Sequence, residues 1–287
     1  MNLKNLYRTI FSNHSSPKLY FVHRIDTNIG DRLSAPYLYY SFDYEACIDI
    51  CDTKAISRIP KGSNIIVGGG GLMMPYFDSY REALLQRQPN NVVWWAVGER
   101  RIQDTQTGFI SEQAVQNSIQ PQWFNQNHLV GFRQSTSYYP FLPCVSCKAV
   151  AEFCSTAPTT PPKHDVVFFE HAHIPLPDAG PYLKRNNHNI APKELFTFLN
   201  SARVVVTNSY HGMYWSLLLG KQVVVVPFSS GLYHHPWSVH WAQPQDVHAV
   251  VEQVLALNEK PNTHLLNECI SLNDAFYFQV LKYLAER

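Results

Sequence analysis

Residues 202–228 read ARVVVTNSYHGMYWSLLLGKQVVVVPF and contain two valine runs around a short polar stretch. Valine runs without polar alternation are typical of parallel strands that are covered on both faces. The pattern predicts a βαβ unit. Its parts are a buried strand at Arg203–Thr207, a tight turn at Asn208–Gly212, a helix at Met213–Leu219 and a second buried strand at Gln222–Pro227.

The predicted turn is a candidate ligand site. Open α/β sheets bind ligands at the carboxyl ends of their strands, and backbone N–H groups at a helix start favour an anion. The turn sequence Asn-Ser-Tyr-His-Gly places His211 at such an end. The alternative is a buried histidine that only bonds to a neighbouring carbonyl group, and this segment alone does not separate the two.

Length and composition limit the class of protein. The chain has 287 residues, 45% of them hydrophobic and 16% charged, which suffices for one large or two ordinary globular domains. A net charge of +1 gives no reason to expect nucleic acid as a partner. Met1–Arg24 lacks the apolar core of a secretory signal, and no apolar run is long enough to span a bilayer. We expect a cytoplasmic location, with the inner face of the membrane as an option and at most peripheral membrane contact.

The cysteine and histidine pairs raise the question of a metal site. Six cysteines in a chain with no evident leader predict reduced thiols. Cys144 and Cys147 form a single C-x-x-C that would need Cys154 or a histidine to hold zinc, so packing of a turn is the favoured interpretation. His171 and His173 also lack an evident third ligand. We therefore predict no metal and interpret these histidines as lining a binding cleft.

Strand and helix patterns recur along the whole chain. Further strands are predicted at Lys18–His23, Asn64–Val67, Asn91–Val97, His128–Phe132 and Asp165–Glu170, and helices at Met73–Gln88, Pro192–Ser201, Pro244–Leu257 and Thr263–Arg287. Ser155–Lys163 is rich in proline and threonine and predicts an interdomain linker. The sequence thus predicts the α/β class with two domains, residues 1–160 and 161–287.

Three of the predicted strands end in residues suited to ligand binding. The first is followed by a polar turn with Asn28, Gly30 and Asp31. The second ends in Gly68–Gly71, where the backbone can approach a ligand or another backbone segment closely. The fourth ends at Arg133, which is suited to clamping a phosphate or carboxylate or to pairing with a nearby acid.

Taken in this order, the motifs resemble the polysaccharide pyruvyl transferase family. The resemblance rests on Asn28-x-Gly30-Asp31, Gly68–Gly71, Gly131-Phe-Arg133 and Val206–Gly212, and it covers most of the chain. It implies two Rossmann-like domains that face each other across a cleft, as in GT-B glycosyltransferases. The first domain would be the acceptor side and the second the donor side, with return of the last helix to the first domain as an option.

The resemblance also implies a reaction. Phosphoenolpyruvate would be the donor, no cofactor would be needed, and a sugar or lipid-linked oligosaccharide would accept the pyruvyl group as a ketal while phosphate is released. His211 would transfer a proton or bond the phosphate, with Asp31 as a secondary base. The implied donor-binding residues are Arg133, Asn208, Ser209, Tyr210 and Gly212, and the implied cleft residues are Asn28, Gly30, Gly69, Gly70, His171 and His234. The oligomeric state stays open.

One position departs from the family pattern. The family has Arg-Leu-His-Gly, whereas this chain has Ser209-Tyr-His211-Gly. Loss of a charge-assisted contact weakens anion binding by roughly 1.5–3 kcal/mol unless another cation replaces it. The candidate replacements are Arg100, Arg203, Lys221 and His234.

Two other functions therefore stay open. The first is a GT-B glycosyltransferase that uses a nucleotide sugar, because aromatic rings stack on bases and sugars. The rings concerned are those of Tyr210, Trp215, Tyr233, Trp237 and Trp241. The second is a glycan-binding or scaffold protein without catalytic activity.

Overall fold

The structure, a computed structural model, describes residues 17–104, 106–157, 161–176, 179–257, 262 and 264–286. Its strands are β1 (Leu19–His23), β2 (Ala46–Asp49), β3 (Asn64–Val67), β4 (Asn91–Val97), β5 (Leu129–Phe132), β6 (His164–Glu170), β7 (Leu183–Asn186), β8 (Ala202–Thr207), β9 (Gln222–Val225) and β10 (His240–Trp241). Its α-helices are α1 (Ile29–Leu33), α2 (Thr53–Arg58), α3 (Asp78–Leu85), α4 (Glu112–Ser118), α5 (Cys147–Thr156), α6 (Pro192–Asn200), α7 (Tyr210–Leu218), α8 (Val247–Leu257) and α9 (Leu265–Ala285).

The strands form two parallel five-stranded sheets. Their orders are β2-β1-β3-β4-β5 and β10-β9-β8-β6-β7, and every named pair within them is parallel. Counted from its own first strand, each sheet has the order 2-1-3-4-5. This is one of the two common doubly wound orders, and it differs from the 3-2-1-4-5 order of the Rossmann sheet. The α/β class is confirmed, and the two sheets are consistent with two α/β domains.

The connection order decides where a ligand fits. In a 2-1-3-4-5 sheet, the strand order reverses between the first and third strands, and a crevice opens there at the carboxyl ends. In the first sheet this point lies between β1 and β3, and in the second between β6 and β8. The segments after these four strands are therefore the expected walls of a binding site.

Buried aliphatic and aromatic side chains form the strand interiors. All seven residues of β4 are buried, as are the last four of β8, which explains why valine and isoleucine runs revealed these strands. The edge strand β7 is exposed at all four positions and reads Leu-Lys-Arg-Asn. Charged residues are tolerated at a sheet edge, so no hydrophobic pattern revealed β7.

Two helices pack across the predicted division of the chain. Val150 of α5 belongs to the same buried cluster as Val167 and Val205 of the second sheet. Phe276 and Val280 of α9 belong to a cluster with residues of the first sheet. The boundary at residue 160 stays a prediction, but the packing places α5 with the second sheet and part of α9 against the first.

Several element boundaries differ from the sequence predictions. Helix α7 begins at Tyr210, three residues before the prediction, because the Ser209 hydroxyl caps the helix by accepting from the Gly212 N–H. Helix α3 begins only at Asp78, after a 3-10 turn at Pro75–Phe77. The predicted linker overlaps the end of α5, and its residues 158–160 lie outside the described residues, as do the predicted ends Thr263 and Arg287.

Backbone hydrogen bonds join the two halves on more than one side. The N–H of Ile29 donates to the Asn187 carbonyl at 3.0 Å, and the N–H of Asn189 donates to the Thr27 carbonyl at 3.2 Å. On another side, the N–H of Asp104 donates to the Phe228 carbonyl at 2.8 Å. These contacts hold the carboxyl ends of the two sheets close together.

Candidate functional site

A cavity of about 530 Å³ lies where the carboxyl ends of the two sheets meet. The first half of the chain contributes Arg24, Asp26, Thr27, Asn28, Asp31, Gly71, Met74, Tyr76, Phe77, Arg100 and Arg133 to its walls. The second half contributes His171, Ala172, His173, Ile174, Asn187, His188, Asn208, Ser209, Tyr210, His211, Phe228, Ser229, Gly231 and Leu232. The segments after β1, β3, β6 and β8 all take part, as the topology requires.

His211 lies in the first turn of α7 and is 6% exposed. A Cβ atom built on Gly30 would lie 2.1 Å from its Nδ1, so only glycine at position 30 lets this ring occupy its place. On the other side of the ring, Nε2 lies 3.5 Å from Cys144 Sγ. Burial, with a smaller contribution from the Arg133 charge, lowers the pKa of His211 well below its usual 6.5. The ring is therefore neutral at pH 7.

Arg133 is 3% exposed and packs its guanidinium 3.9 Å from the centroid of the Tyr210 ring. A Cβ atom built on Gly98 would lie 2.1 Å from its Nε, so Gly98 provides the space for this side chain. Its Nη2 lies 3.6 Å from the Cβ position of Gly71. The position after β5 and the cation–π contact thus hold a positive charge at the wall of the cavity.

Arg100 provides a second cation on the same wall. Its guanidinium lies 4.8 Å from the centroid of the Phe228 ring, and burial, together with repulsion from Arg133, lowers its pKa. Within the described part of the chain, neither Arg100 nor Arg133 forms a side-chain hydrogen bond or ion pair, and the buried Nε of each has no partner. A buried Arg133 and a half-buried Arg100, neither hydrogen-bonded to an acid, indicate an anion site.

The two carboxylates of the cavity have opposite pKa shifts. Burial raises the pKa of Asp31 to about 6, although the Arg133 charge opposes this shift. Burial also acts on Asp26, but hydrogen bonds from Thr27 and the Arg24 charge outweigh it, so the pKa of Asp26 is lowered. Asp31 thus holds a proton near neutral pH far more readily than Asp26, which suits Asp31 to general acid catalysis.

The Asp31 shift predicts a dependence of stability on pH. The folded-state pKa of about 6 exceeds the ordinary value of 3.8, so the folded protein binds more protons, and the free energy of unfolding falls as pH rises from about 4 to 6. We expect Asp31→Asn to remove this decline and to stabilise the protein at pH 7.5 by up to about 3 kcal/mol. Denaturant unfolding of both proteins at pH 4.5 and 7.5 measures the difference.

Asp26→Asn is the matched control, because the lowered pKa of Asp26 makes its contribution to the free energy of unfolding change with pH in the opposite direction. The Asp26 carboxylate contributes stability above its ordinary pKa, and this stability is lost as pH falls through the lowered folded-state pKa. Asp26→Asn removes the contribution and is therefore expected to destabilise the protein at pH 7.5. Equal responses of the two variants would contradict the environments described above.

Two predicted site residues mainly hold the walls together. Asn208 Oδ1 accepts from the His171 N–H at 2.7 Å and its Nδ2 donates to the Ile174 carbonyl at 2.8 Å. Asn28 caps α1 by accepting from the Gly30 N–H at 2.9 Å, and it pairs with His188 across the two halves. Both line the cavity, but the bonds occupy the whole amide group of Asn208 and the Oδ1 atom of Asn28.

Other predicted site residues are not part of the cavity lining. Gly69, Gly70 and Gly212 lie behind it: Gly70 has φ +105°, and a Cβ on Gly212 would lie 2.4 Å from Thr207 Oγ1. These glycines permit close packing. His234 instead lines a separate cavity of about 370 Å³ with Ser135–Tyr138, because the chain turns away after Leu232.

Of the four candidate replacements for the missing arginine, Arg100 is the one that lines the cavity. Arg203 pairs with Asp165 at 3.1 Å on the surface, and Lys221 donates to the Asn200 carbonyl at 2.9 Å. His171 does line the cavity as predicted. Burial, the Arg100 charge and His173 lower the pKa of His171 to about 4.

Sequence reasoning missed Arg24 and Tyr76 as wall residues. Arg24 immediately follows β1 and pairs with Asp26 and Asp49, so its position at a strand end was a usable signal. Tyr76 lies in the 3-10 turn before α3 and is 57% exposed. Nothing in the local pattern around Tyr76 pointed to a cavity.

Among the described residues, no group of three or more His, Cys, Asp or Glu side chains is arranged to hold a metal ion. All six cysteines are free thiols. In the described part of the chain, no helix has the length and apolar character needed to cross a membrane.

Comparison with known proteins gives little further information. No family model matches the chain, and no curated protein matches it. A crystal structure of an uncharacterized protein from Klebsiella pneumoniae subsp. pneumoniae NTUH-K2044 is similar at 17% identity and a TM-score of 0.45. The match covers 81% of this chain and 94% of that one. A likeness at this level carries no inference about activity.

Proposed function

We propose that this protein transfers a pyruvyl group from phosphoenolpyruvate to two hydroxyls of a sugar and releases inorganic phosphate. The observation that carries the proposal is the pair of guanidinium groups of Arg100 and Arg133 beside His211, which have no hydrogen-bond or ion-pair partner among the described residues. Phosphoenolpyruvate has two anionic groups, a phosphate and a carboxylate, and two cations with separate anchors match that pattern. Arg100 supplies the charge that the missing motif arginine would have provided.

The chemistry needs an acid as well as cations. A proton must reach the methylene carbon of the enol phosphate, and a sugar hydroxyl then bonds to the central carbon. The bond from that carbon to the phosphate oxygen breaks, and a second hydroxyl completes the ketal. One hydroxyl proton thereby replaces the proton used at the methylene carbon, and the other leaves with phosphate. Asp31, with its raised pKa, is the proposed acid.

The acceptor side of the proposal is the wall from the first half. Tyr76 exposes its ring there, and Asp26 and Thr27 place polar groups nearby. Aromatic faces and paired polar groups are suited to a sugar ring. The proposal includes a GT-B-like arrangement, in which the two domains face each other across this cavity, and a lipid-linked or nucleotide-linked sugar as acceptor.

Thermal unfolding with ligands tests the proposal. We expect phosphoenolpyruvate to raise Tm, because a ligand at about 100 times its Kd adds roughly 2.7 kcal/mol. Inorganic phosphate and pyruvate, each with one anionic group, should stabilise less. Loss of the Tm shift in Arg133→Ala would indicate that phosphoenolpyruvate binds in this cavity. No shift with phosphoenolpyruvate, together with a shift from one UDP-, GDP- or CMP-sugar, would reject the pyruvyl donor.

The second candidate is a glycosyltransferase that uses a nucleotide sugar. The cavity of about 530 Å³ is large enough for such a donor, and this observation favours it. The argument from aromatic rings that stack on the nucleotide sugar is weaker, however. Of the five rings considered, only Tyr210 lines the cavity, and Trp215 is fully buried. Arg133 already covers the Tyr210 ring.

A further inference from the structure

A chain of hydrogen bonds lies behind His211. Trp215 Nε1 donates to Ser146 Oγ at 2.9 Å, and Ser146 Oγ donates to Cys144 Sγ at 3.1 Å. Cys144 Sγ in turn lies 3.5 Å from His211 Nε2. His211 and Trp215 are four residues apart on α7, so they share one face of the helix. The segment at 144–146 therefore bridges two side chains of the same helix.

The donor capacity of each group gives this chain a direction. The Trp215 indole can only donate, so Ser146 Oγ accepts from it. Among the described residues, the Ser146 hydroxyl donates to Cys144 Sγ. Both side chains are buried, and a buried hydroxyl that donates no hydrogen bond costs free energy. The S–H of Cys144 then remains available to donate to His211 Nε2. A nitrogen that accepts this bond carries no proton.

We infer that Cys144 is a positioning residue that holds His211 in the tautomer with its proton on Nδ1. His211 lines the cavity whereas Cys144 does not, so the ring connects Cys144 to the cavity. The tautomer follows from the hydrogen-bond chain alone. Its use on a bound phosphate or carboxylate rests on the proposed function.

A catalytic cysteine is the obvious alternative for a Cys–His contact, and burial argues against it. Cys144 is 0% exposed and does not line the cavity, so a substrate atom cannot reach Sγ. Burial also raises the pKa of the Cys144 thiol, although the hydrogen bonds from Ser146 oppose this shift. A raised pKa disfavours the thiolate that a nucleophile requires. Cys144 therefore acts through His211.

Nuclear magnetic resonance of the ligand-free protein tests the tautomer without reference to any substrate. Long-range ¹H–¹⁵N correlation spectra distinguish protonated from unprotonated ring nitrogens, and the His211→Asn variant identifies the His211 signals. We expect Nδ1 to be protonated in the wild type at pH 7. In Cys144→Ala, the tautomers should mix and the pKa of His211 should rise, because the group that stabilised the neutral ring is gone. Cys144→Ser should restore the wild-type pattern.

Cys147→Ala is the matched control, since Cys147 is equally buried but bonds to the Val145 carbonyl instead. A wild-type His211 protonated on Nε2, or a Cys144→Ala spectrum equal to that of the wild type, would overturn the inference. The wild-type spectrum alone tests the tautomer of His211, even if Cys144→Ala fails to fold. If phosphoenolpyruvate is bound, Cys144→Ala should weaken its binding by roughly two- to twelvefold, as expected for one neutral hydrogen bond. The predicted tautomer without any phosphoenolpyruvate binding would reject the proposed function and leave this inference intact.

Discussion

Replacing His211 with alanine is expected to lower the turnover of phosphoenolpyruvate by about 10²–10⁴-fold while the protein stays folded. His211 is the side chain of the cavity that combines a buried, neutral ring with a fixed orientation. A hydrogen-bond donor that already points at the position of a developing negative charge does not have to reorient during the reaction. Release of inorganic phosphate in the presence of a sugar acceptor measures the loss.

Two further variants separate the possible roles of His211. Asparagine places its amide nitrogen as many bonds from the backbone as Nδ1, whereas glutamine reaches the position of Nε2. If Nδ1–H is the working group, His211→Asn should retain more activity than His211→Gln, and both should exceed His211→Ala. Near-wild-type turnover in His211→Ala, with an unchanged melting profile, would remove His211 from the mechanism.

The sequence predicted the strands best where they are buried on both faces. Strands β4 and β8 are valine-rich and central, and both were located within one or two residues. Strand β7 and the two-residue strand β10 are edge strands, and their polar residues gave no signal. The missing information was the partner strand, which only the assembled sheet provides.

The candidate site divides in a similar way. His211, Arg133 and Asp31 were predicted from their positions after strands, and all three line one cavity. This agreement follows from topology, because carboxyl ends of parallel strands meet at the same edge. The glycines were harder to interpret. Gly30 and Gly98 make room for His211 and Arg133, but Gly69 and Gly70 pack against Ser34 and Asp31.

The interaction of Cys144 with His211 was beyond the reach of sequence reasoning. The two residues are 67 positions apart, and the C-x-x-C spacing pointed to packing or zinc. Contact requires that the segment before α5 folds against α7, which the core cluster around Cys144, Cys147 and Trp215 brings about. Such contacts between loops and helices leave no periodic pattern in a sequence.

Replacing Arg133 with alanine is expected to weaken phosphoenolpyruvate binding by roughly 10–150-fold, the effect of losing one hydrogen bond to a charged group. Arg100→Ala should produce a loss of the same order, because neither guanidinium group has a hydrogen-bond or ion-pair partner among the described residues. Arg133→Lys keeps the charge but loses the planar fork, so an intermediate affinity is expected. Titration calorimetry with each variant gives the Kd values.

Arg101→Ala is the control for these variants. Arg101 neighbours Arg100 in sequence but pairs with Asp78 and packs over Trp123, outside the cavity. Its replacement should leave the Kd unchanged. The double variant Arg100→Ala with Arg133→Ala adds a sharper test. Because Arg100 and Arg133 repel each other and would hold the same donor, their losses need not multiply, but the double variant should bind more weakly than either single variant. A double variant no weaker than Arg133→Ala, together with an Arg100→Ala variant that binds like the wild type, would mean that Arg133 binds the donor and Arg100 does not, and the missing motif arginine would then have no replacement in Arg100.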